Sequence, residues 1–219
     1  ATYSLLIEVD NNMVKVINDR FKDYDNYTLI SQDILKVNID EEILKIEEKN
    51  NIKFTNVKVV ANLPYYITTP IIFKLLQDSK RISEVIVMVQ KEVAQRMVAQ
   101  SNTKDYGILT LMVQYLSDAS IAFLVPKESF IPAPNVTSAI IVLKKNKKYK
   151  VKNEEVFIKL VHCAFAQRRK TMINSLSSTN FKNLSKEELN ILFEKLDIDK
   201  NVRAEQLDIN DFIRICDML

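Results

Sequence analysis

Apolar runs of strand length alternate with stretches of helical apolar spacing along most of the chain, and no other feature constrains its fold as much. Strands that alternate with helices predict an α/β fold, in which helices cover both faces of a mostly parallel sheet. The run at residues 57–61 predicts a buried parallel strand. The predicted strands are residues 3–8, 27–30, 57–61, 84–89, 121–125 and 138–143. The predicted helices between them are residues 11–21, 40–53, 71–76, 91–99 and 108–116.

The pattern changes after residue 145, where the strand signals stop. Helical spacing recurs at residues 156–165, 170–176, 186–196 and 209–219. Ser185 and Glu188 form a predicted capping box, which places the start of the third of these helices. We therefore expect two domains, an α/β domain over residues 1–145 and a small all-helical domain over residues 146–219.

Composition excludes several classes of protein. With 47% hydrophobic and 27% charged residues the chain is predicted to be globular, and no apolar run reaches the roughly 18 to 20 residues of a membrane-spanning helix. Gly107 is the single glycine, so this chain has no glycine-rich phosphate loop, and asparagine is expected to replace glycine at turns. His162 is the single histidine, and Cys163 and Cys216 fit no metal spacing, so no metal is expected. We interpret His162 and Cys163 as packing residues.

Net charge is only +3, but the basic residues are concentrated in one segment. Residues 144–170 carry ten Lys or Arg against two Glu, whereas residues 1–60 carry eight Lys or Arg against eleven Asp or Glu. A segment this basic suits a polyanion such as RNA, with a solvated lysine linker and a solvated helix start as the alternatives. The residues predicted to contact RNA phosphates are Lys144, Lys145, Lys147, Lys148, Arg168, Arg169 and Lys170.

Three consecutive predicted strands each lead into a residue that can bind a ligand, namely Glu8, Asp33 and Asn62. Open α/β sheets bind their ligands at the carboxyl ends of the strands. The Glu8 carboxylate suits the two ribose hydroxyls of a nucleoside cofactor, and Asp33 suits an adenine amine, with Ile34 packing on the ring. Either acid alone is better explained as a helix N-cap. Their order on successive strands, closed by Asn62, favours a cofactor site.

The loop Asn62-Leu63-Pro64-Tyr65 is suited to an amine nucleophile. The Asn62 side-chain oxygen and the Leu63 carbonyl can each accept one hydrogen of a base amine, which directs the nitrogen lone pair at a methyl donor. Pro64 fixes the backbone, and Tyr65 offers a ring face for the base, a contact worth roughly 1–3 kcal/mol. These four residues therefore predict methyl transfer to a nucleobase amine. The alternative is an Asn-Pro turn with two core tyrosines.

On these residues the chain resembles the bacterial small-subunit (16S) ribosomal RNA adenine N6,N6-dimethyltransferases. The resemblance runs through residues 7–10, 32–35, 62–67, 89–94, 106–107, 112–115, 129–136, 138–139 and 164–171. It implies a Rossmann-like class I methyltransferase sheet with a helical RNA-binding C-terminal domain, and S-adenosylmethionine as cofactor. It also implies that Phe130 helps to hold a flipped adenine. The implied protein is a cytoplasmic monomer that acts on small-subunit ribosomal RNA in a pre-ribosomal 30S particle, with no membrane partner.

Two other functions share this fold. The related methyltransferases of large-subunit ribosomal RNA differ in the loop, so residues 62–67 and 167–171 favour the small-subunit family. A non-enzymatic RNA-binding or ribosome-assembly factor would use the same basic surfaces. The family resemblance also implies a first strand and a glycine-rich loop upstream of Glu8, neither of which this chain contains. We therefore expect its methyltransferase domain to be incomplete at the N-terminus.

Overall fold

The computed structural model describes residues 1–146 and 148–219, so Lys147 lies outside the described residues. The chain divides into two compact units, Ala1–Val85 and Ile86–Leu219. Strands alternate with helices in the first of them and helices dominate the end of the second, which confirms the predicted α/β class.

The first unit is built from alternating strands and helices. Its elements are β1 (Ser4–Glu8), α1 (Asn11–Arg20), β2 (Tyr27–Ser31), α2 (Ile39–Asn50), β3 (Val57–Asn62) and α3 (Thr68–Gln77). β1 and β2 pair in parallel, and Glu8 lies opposite Ser31 at the end of the ladder. Because parallel strands end at the same edge, the residues that follow β1 and β2 start from one side of this two-stranded sheet.

Local capping explains where α2 begins and ends. The Asn38 side chain accepts a hydrogen bond from the Glu41 N–H at 3.3 Å. The acidic side chains of the first turn interact favourably with the positive end of the helix dipole. Asn51 ends the helix in the left-handed conformation with φ 51°, where glycine is the usual residue. Six non-glycine residues of the described chain have positive φ, and four are asparagines: Asn51, Asn102, Asn180 and Asn183. Asparagine thus replaces glycine at turns, as expected.

The core of the first unit is concentrated on its later helices. Ile72, Leu75 and Leu76 of α3 are buried, whereas α1 has no buried residue and β1 is only half-buried along its length. β3 alternates half-buried and exposed residues, and Val60 is 77% exposed. The prediction of a buried strand at residues 57–61 is therefore wrong, since the observed alternation is that of a strand covered on one face.

An ion pair links α2 to Arg81, and both partners also form hydrogen bonds with Phe54, which lies in the segment that precedes β3. The Arg81 guanidinium donates to both carboxylate oxygens of Glu47, at 2.6 and 3.2 Å, and the Phe54 N–H donates to the same carboxylate at 2.6 Å. Arg81 also donates to the Phe54 carbonyl at 3.3 Å. The hydrogen bonds from Arg81 and Phe54 hold the pKa of Glu47 below its ordinary value.

The second unit combines sheet and helices. β4 (Ile82–Gln90) crosses the boundary between the units, and the sheet to which it belongs has the strand order β3-β4-β6-β5. The remaining elements are α4 (Lys91–Met97), α5 (Ile108–Leu116), β5 (Ser117–Val125), β6 (Ser138–Lys145), α6 (Glu154–Phe165), α7 (Met172–Ser178), α8 (Lys186–Lys195) and α9 (Ile209–Met218). β5 and β6 are antiparallel, with a register shift between Ile121 and Phe123 that marks an irregularity in the ladder.

The last four helices surround a well-buried apolar core. Phe157 and Leu160 of α6 and Phe212 of α9 are fully buried, and the Phe165 and Phe212 rings stack with centroids 6.0 Å apart. These helices belong to the same compact unit as β5 and β6. The domain boundary near residue 145 stays a prediction.

The helix α8 begins where the predicted capping box of Ser185 and Glu188 placed its start. The Ser185 hydroxyl accepts a hydrogen bond from the Glu188 N–H at 3.1 Å, and the Glu188 carboxylate accepts one from the Ser185 N–H at 2.8 Å. The predicted capping box is therefore confirmed. Because the hydrogen bond from the Ser185 N–H favours the ionised carboxylate, the pKa of Glu188 is lowered.

Candidate active site

The end of β1 presents the Glu8 carboxylate. Its Oε1 accepts hydrogen bonds from the backbone N–H groups of Val9 and Asp10, both at 2.8 Å, so the side chain is held against the turn that leads into α1. Within the described residues Oε2 makes no hydrogen bond. One oxygen thus fixes the carboxylate and the other can accept from a ligand hydroxyl.

Asp33 lies two residues beyond the end of β2. Its Oδ1 accepts a hydrogen bond from the Leu35 N–H at 2.9 Å and caps the 3₁₀ turn Ile34–Lys36, which is the helix-capping alternative considered for this residue. Ile34 is half-buried. Since Gln32 N–H donates to the Glu8 carbonyl at 3.0 Å, the segment that carries Asp33 starts beside the end of β1. The structure therefore brings the end of β1, with Glu8, and the segment after β2, with Asp33, to the same edge of the two-stranded sheet.

Asn62 is the last residue of β3 and its side chain is exposed. In the described part of the chain that side chain makes no hydrogen bond, so its amide oxygen is open to a ligand. Leu63 is 6% exposed and anchors the loop to the interior. Leu63 therefore fixes the loop in the interior, while the Asn62 side chain stays accessible to a ligand.

Pro64 joins this loop to the next helix. Its carbonyl accepts hydrogen bonds from the Ile67 N–H at 3.2 Å and from the Thr68 hydroxyl at 3.0 Å, which begins α3. Tyr65 is half-buried, while Tyr66 is 86% exposed. The alternative of two core tyrosines is therefore wrong for Tyr66. The two hydrogen bonds to the Pro64 carbonyl hold the loop's main chain against the start of α3.

Phe130 belongs to the second unit. It follows the 3₁₀ turn Lys127–Ser129, its N–H donates to the Lys127 carbonyl at 3.3 Å, and its side chain is half-buried. The next peptide bond but one, Ile131–Pro132, is cis. The role of Phe130 as a wall of a base pocket stays a prediction.

Most of the residues predicted to bind RNA are accessible, and all of the described ones lie in the second unit. Lys144 is exposed opposite Asp118 in the β5–β6 register, and Lys145 is half-buried. The Lys148 ammonium lies 5.1 Å from the centre of the Tyr149 ring, a cation–π contact. Lys147 lies outside the described residues. Arg168, Arg169 and Lys170 are exposed after the end of α6.

Two features of the second unit, a contact of Arg168 and the exposure of His162, were not predicted from the sequence. The Arg168 guanidinium donates a hydrogen bond to the Lys104 carbonyl at 2.7 Å, a contact across 64 positions that no local pattern indicated. His162 is exposed on α6, so its interpretation as a packing residue is wrong, whereas Cys163 is partly buried. The helical period places His162 on the outer side of α6 because Val161 and Ala164 take the inner positions.

Neither a metal centre nor a membrane-spanning helix was found in the described residues. No group of three or more His, Cys, Asp or Glu side chains there could hold a metal ion. None of the helices at residues 1–146 and 148–219 is both long enough and apolar enough to cross a membrane.

Solved structures with the same fold define the class of protein. A dimethyladenosine transferase from Plasmodium falciparum matches with a TM-score of 0.78 and 25% identity, over 97% of this chain and 80% of that one. The 23S rRNA methyltransferase ErmE matches with a TM-score of 0.66 and 19% identity, over 100% and 82% of the two chains. The fold is therefore that of a class I methyltransferase.

Sequence comparison narrows the class to a family. The profile described as ribosomal RNA adenine dimethylase matches residues 3–219, so the chain belongs to that family. A protein named ribosomal RNA small subunit methyltransferase A from Clostridioides difficile is 45% identical over 208 residues, which is 94% of this chain and 70% of the relative. The protein of that name from Lactococcus lactis is 43% identical over 221 residues, covering 100% and 74%.

Proposed function

We propose that the protein transfers methyl groups from S-adenosylmethionine to the exocyclic amines of adenines in small-subunit ribosomal RNA, as a step of ribosome biogenesis. The observation that carries the proposal is the exposed side chain of Asn62 at the end of β3, which makes no hydrogen bond within the described residues, in a chain of the adenine dimethylase family. The relatives named above support the small-subunit substrate.

The acceptor side of the reaction is assigned to residues 62–65. An adenine amine is a weak nucleophile because its lone pair delocalises into the ring. The Asn62 oxygen and the Leu63 carbonyl accept its two hydrogens, and each such bond contributes about 0.5–1.5 kcal/mol. The nitrogen then becomes more tetrahedral, and its lone pair points out of the ring plane. Tyr65 stacks on the base and supports it while it is out of the RNA stack.

The residues at the ends of β1 and β2 fit the adenosine half of the cofactor. The open Oε2 of Glu8 can accept a hydrogen bond from a ribose hydroxyl, while Oε1 is held by backbone N–H groups at 2.8 Å. Asp33 has its Oδ2 left for an adenine amine, and Ile34 offers an apolar surface to the ring. When bound, S-adenosylmethionine supplies an activated methyl group. No acid–base side chain is required, since the amine loses its proton after it has reacted.

The second unit is proposed to hold the RNA. Phe130 forms part of the pocket for the flipped base, and the exposed basic residues bind phosphates without reading sequence. Specificity then comes from RNA shape. We further propose that the substrate is a pre-ribosomal 30S particle, that the protein acts as a monomer, and that it works in the cytoplasm where ribosomes are assembled.

The test is a methylation assay with separated ribosomal subunits. Purified protein is incubated with S-adenosylmethionine and unmethylated small or large subunits, and the RNA is digested to nucleosides for mass spectrometry. We expect N6,N6-dimethyladenosine in small-subunit RNA only. Methylation of the large subunit alone would refute the substrate assignment. RNA binding without methylated nucleosides would instead identify a non-enzymatic assembly factor.

A further inference from the structure

The loop at residues 100–105 and the adjoining Tyr106 contact the helical part of the second unit at three points. The Arg168 guanidinium donates to the Lys104 carbonyl at 2.7 Å, and the Asn102 N–H donates to the Glu205 carbonyl at 2.7 Å. At the end of the loop the Tyr106 side chain is buried, with its ring centre 6.2 Å from that of Phe165. Residues 100–105 are therefore held in one position on the surface of the helical part of this unit.

The loop at residues 100–105 adds the cation of Lys104 to the basic segment at residues 168–170. Lys104 is exposed, as are Arg168, Arg169 and Lys170, and these four residues are here called the Lys104 cluster. Because the Arg168 guanidinium bonds to the Lys104 carbonyl at 2.7 Å, its charge lies beside the point where the Lys104 side chain leaves the main chain. Exposed charges that lie within the Debye length of about 8 Å at physiological ionic strength act on a ligand together.

Few negative charges oppose the Lys104 cluster. Within the described chain none of its four side chains forms an ion pair. The nearest acids along the contacting segments are Asp105, which is half-buried, and Glu205, whose Oε2 is buried. Gathering exposed like charges raises the local potential, and a polyanion relieves this repulsion on binding.

We propose that the Lys104 cluster is one phosphate-binding surface for RNA, in which Lys104 contacts a phosphate and Arg168 acts as a positioning residue that holds the loop. The inference rests on the proposed function, because it takes ribosomal RNA as the polyanion. A loop that is fixed before binding loses little conformational entropy when RNA arrives, which favours affinity. Arg168 keeps further N–H donors for the phosphate backbone while one of them holds Lys104.

The first experiment measures RNA affinity against salt. Binding of a labelled small-subunit ribosomal RNA fragment is followed by fluorescence anisotropy from 50 to about 300 mM KCl. Lys104→Ala should weaken binding several-fold and reduce the salt slope by about one, the signature of one lost phosphate contact. Lys104→Arg should keep the wild-type slope. Lys186→Ala, which removes another exposed lysine at the start of α8, is the matched control and should change neither quantity.

The second experiment is a double-mutant cycle for the role of Arg168. If Arg168 positions Lys104, Lys104→Ala should cost less in an Arg168→Ala background than in the wild type, because the contact at the Lys104 carbonyl is already lost while the Asn102 and Tyr106 contacts remain. Independent, additive losses would overturn the positioning role. A Lys104→Ala variant with the salt slope of the Lys186→Ala control would overturn the surface itself. Failure of the proposed function would be seen separately, as wild-type protein that binds RNA normally but methylates none.

Discussion

The two compact units differ in how their apolar side chains are covered. In the second unit Phe157, Phe193 and Phe212 are fully buried among helices, whereas in the first unit Met13 of α1 is 46% exposed and β1 is nowhere buried. The first unit nevertheless carries the proposed cofactor-binding residues and the loop at residues 62–65. Backbone hydrogen bonds hold the Glu8 side chain, whereas the buried Leu63 side chain anchors the loop that follows β3. The contrast in burial is therefore between α1 and β1 of the first unit and the helices at the end of the second unit.

The largest effect on stability is expected in the helical core. Phe212→Ala removes a fully buried ring that stacks on Phe165, and it should lower the free energy of unfolding by about 3–5 kcal/mol. Urea unfolding followed by circular dichroism measures this loss. Phe212→Leu, which keeps most of the volume, should lose much less.

The matched substitution in the first unit sharpens the contrast. Met13→Ala on the exposed helix α1 should change the free energy of unfolding by about 0.5 kcal/mol or less. Equal losses for Phe212→Ala and Met13→Ala would contradict the difference in packing between the two units.

A pH-dependent effect is expected from the ion pair of the first unit. The pKa of Glu47 is lowered in the folded state, so its pair with Arg81 stabilises the protein above the ordinary carboxyl pKa of 4.5. This contribution should be lost as the pH falls below 4.5 and through the lowered folded-state value. Thermal unfolding of Glu47→Gln between pH 7 and pH 3 should show a flatter acid decline than the wild type. Parallel declines would contradict the assignment.

A smaller effect is expected at the start of α8. Ser185→Ala removes half of the capping box and should cost about 1 kcal/mol, while Ser185→Asp should restore most of it because aspartate is also a good N-cap. Chemical unfolding of the two variants side by side measures the difference. A loss near that of Phe212→Ala would mean that capping, and not core packing, dominates the stability of the second unit.

Local signals predicted the elements well, because periodicity and caps depend on neighbouring residues. The strands and helices occur where the apolar spacing placed them, and the Ser185 capping box formed as expected. Burial was predicted less well. Val60 of β3 is largely exposed and His162 lies on the outer side of α6, since coverage depends on elements distant in sequence.

The candidate site shows the same limit. Glu8 and Asn62 were identified because strand ends have a recognisable pattern, and the structure places both at strand ends. The helix-capping alternative for Asp33 also had a local cause and is present. Lys104 was missed because its contact with Arg168 joins positions 64 residues apart. No periodicity or motif encodes such a long-range contact.

The central claim is that Asn62 directs the target amine, and one measurement tests it most directly. Asn62→Ala and wild-type protein are compared for the rate of N6,N6-dimethyladenosine formation in small-subunit ribosomal RNA, with RNA binding measured in parallel. The account predicts a loss of at least about 100-fold in rate, the order seen when a polar group at the reacting centre is removed, with RNA affinity nearly unchanged. A variant that methylates at the wild-type rate would contradict it.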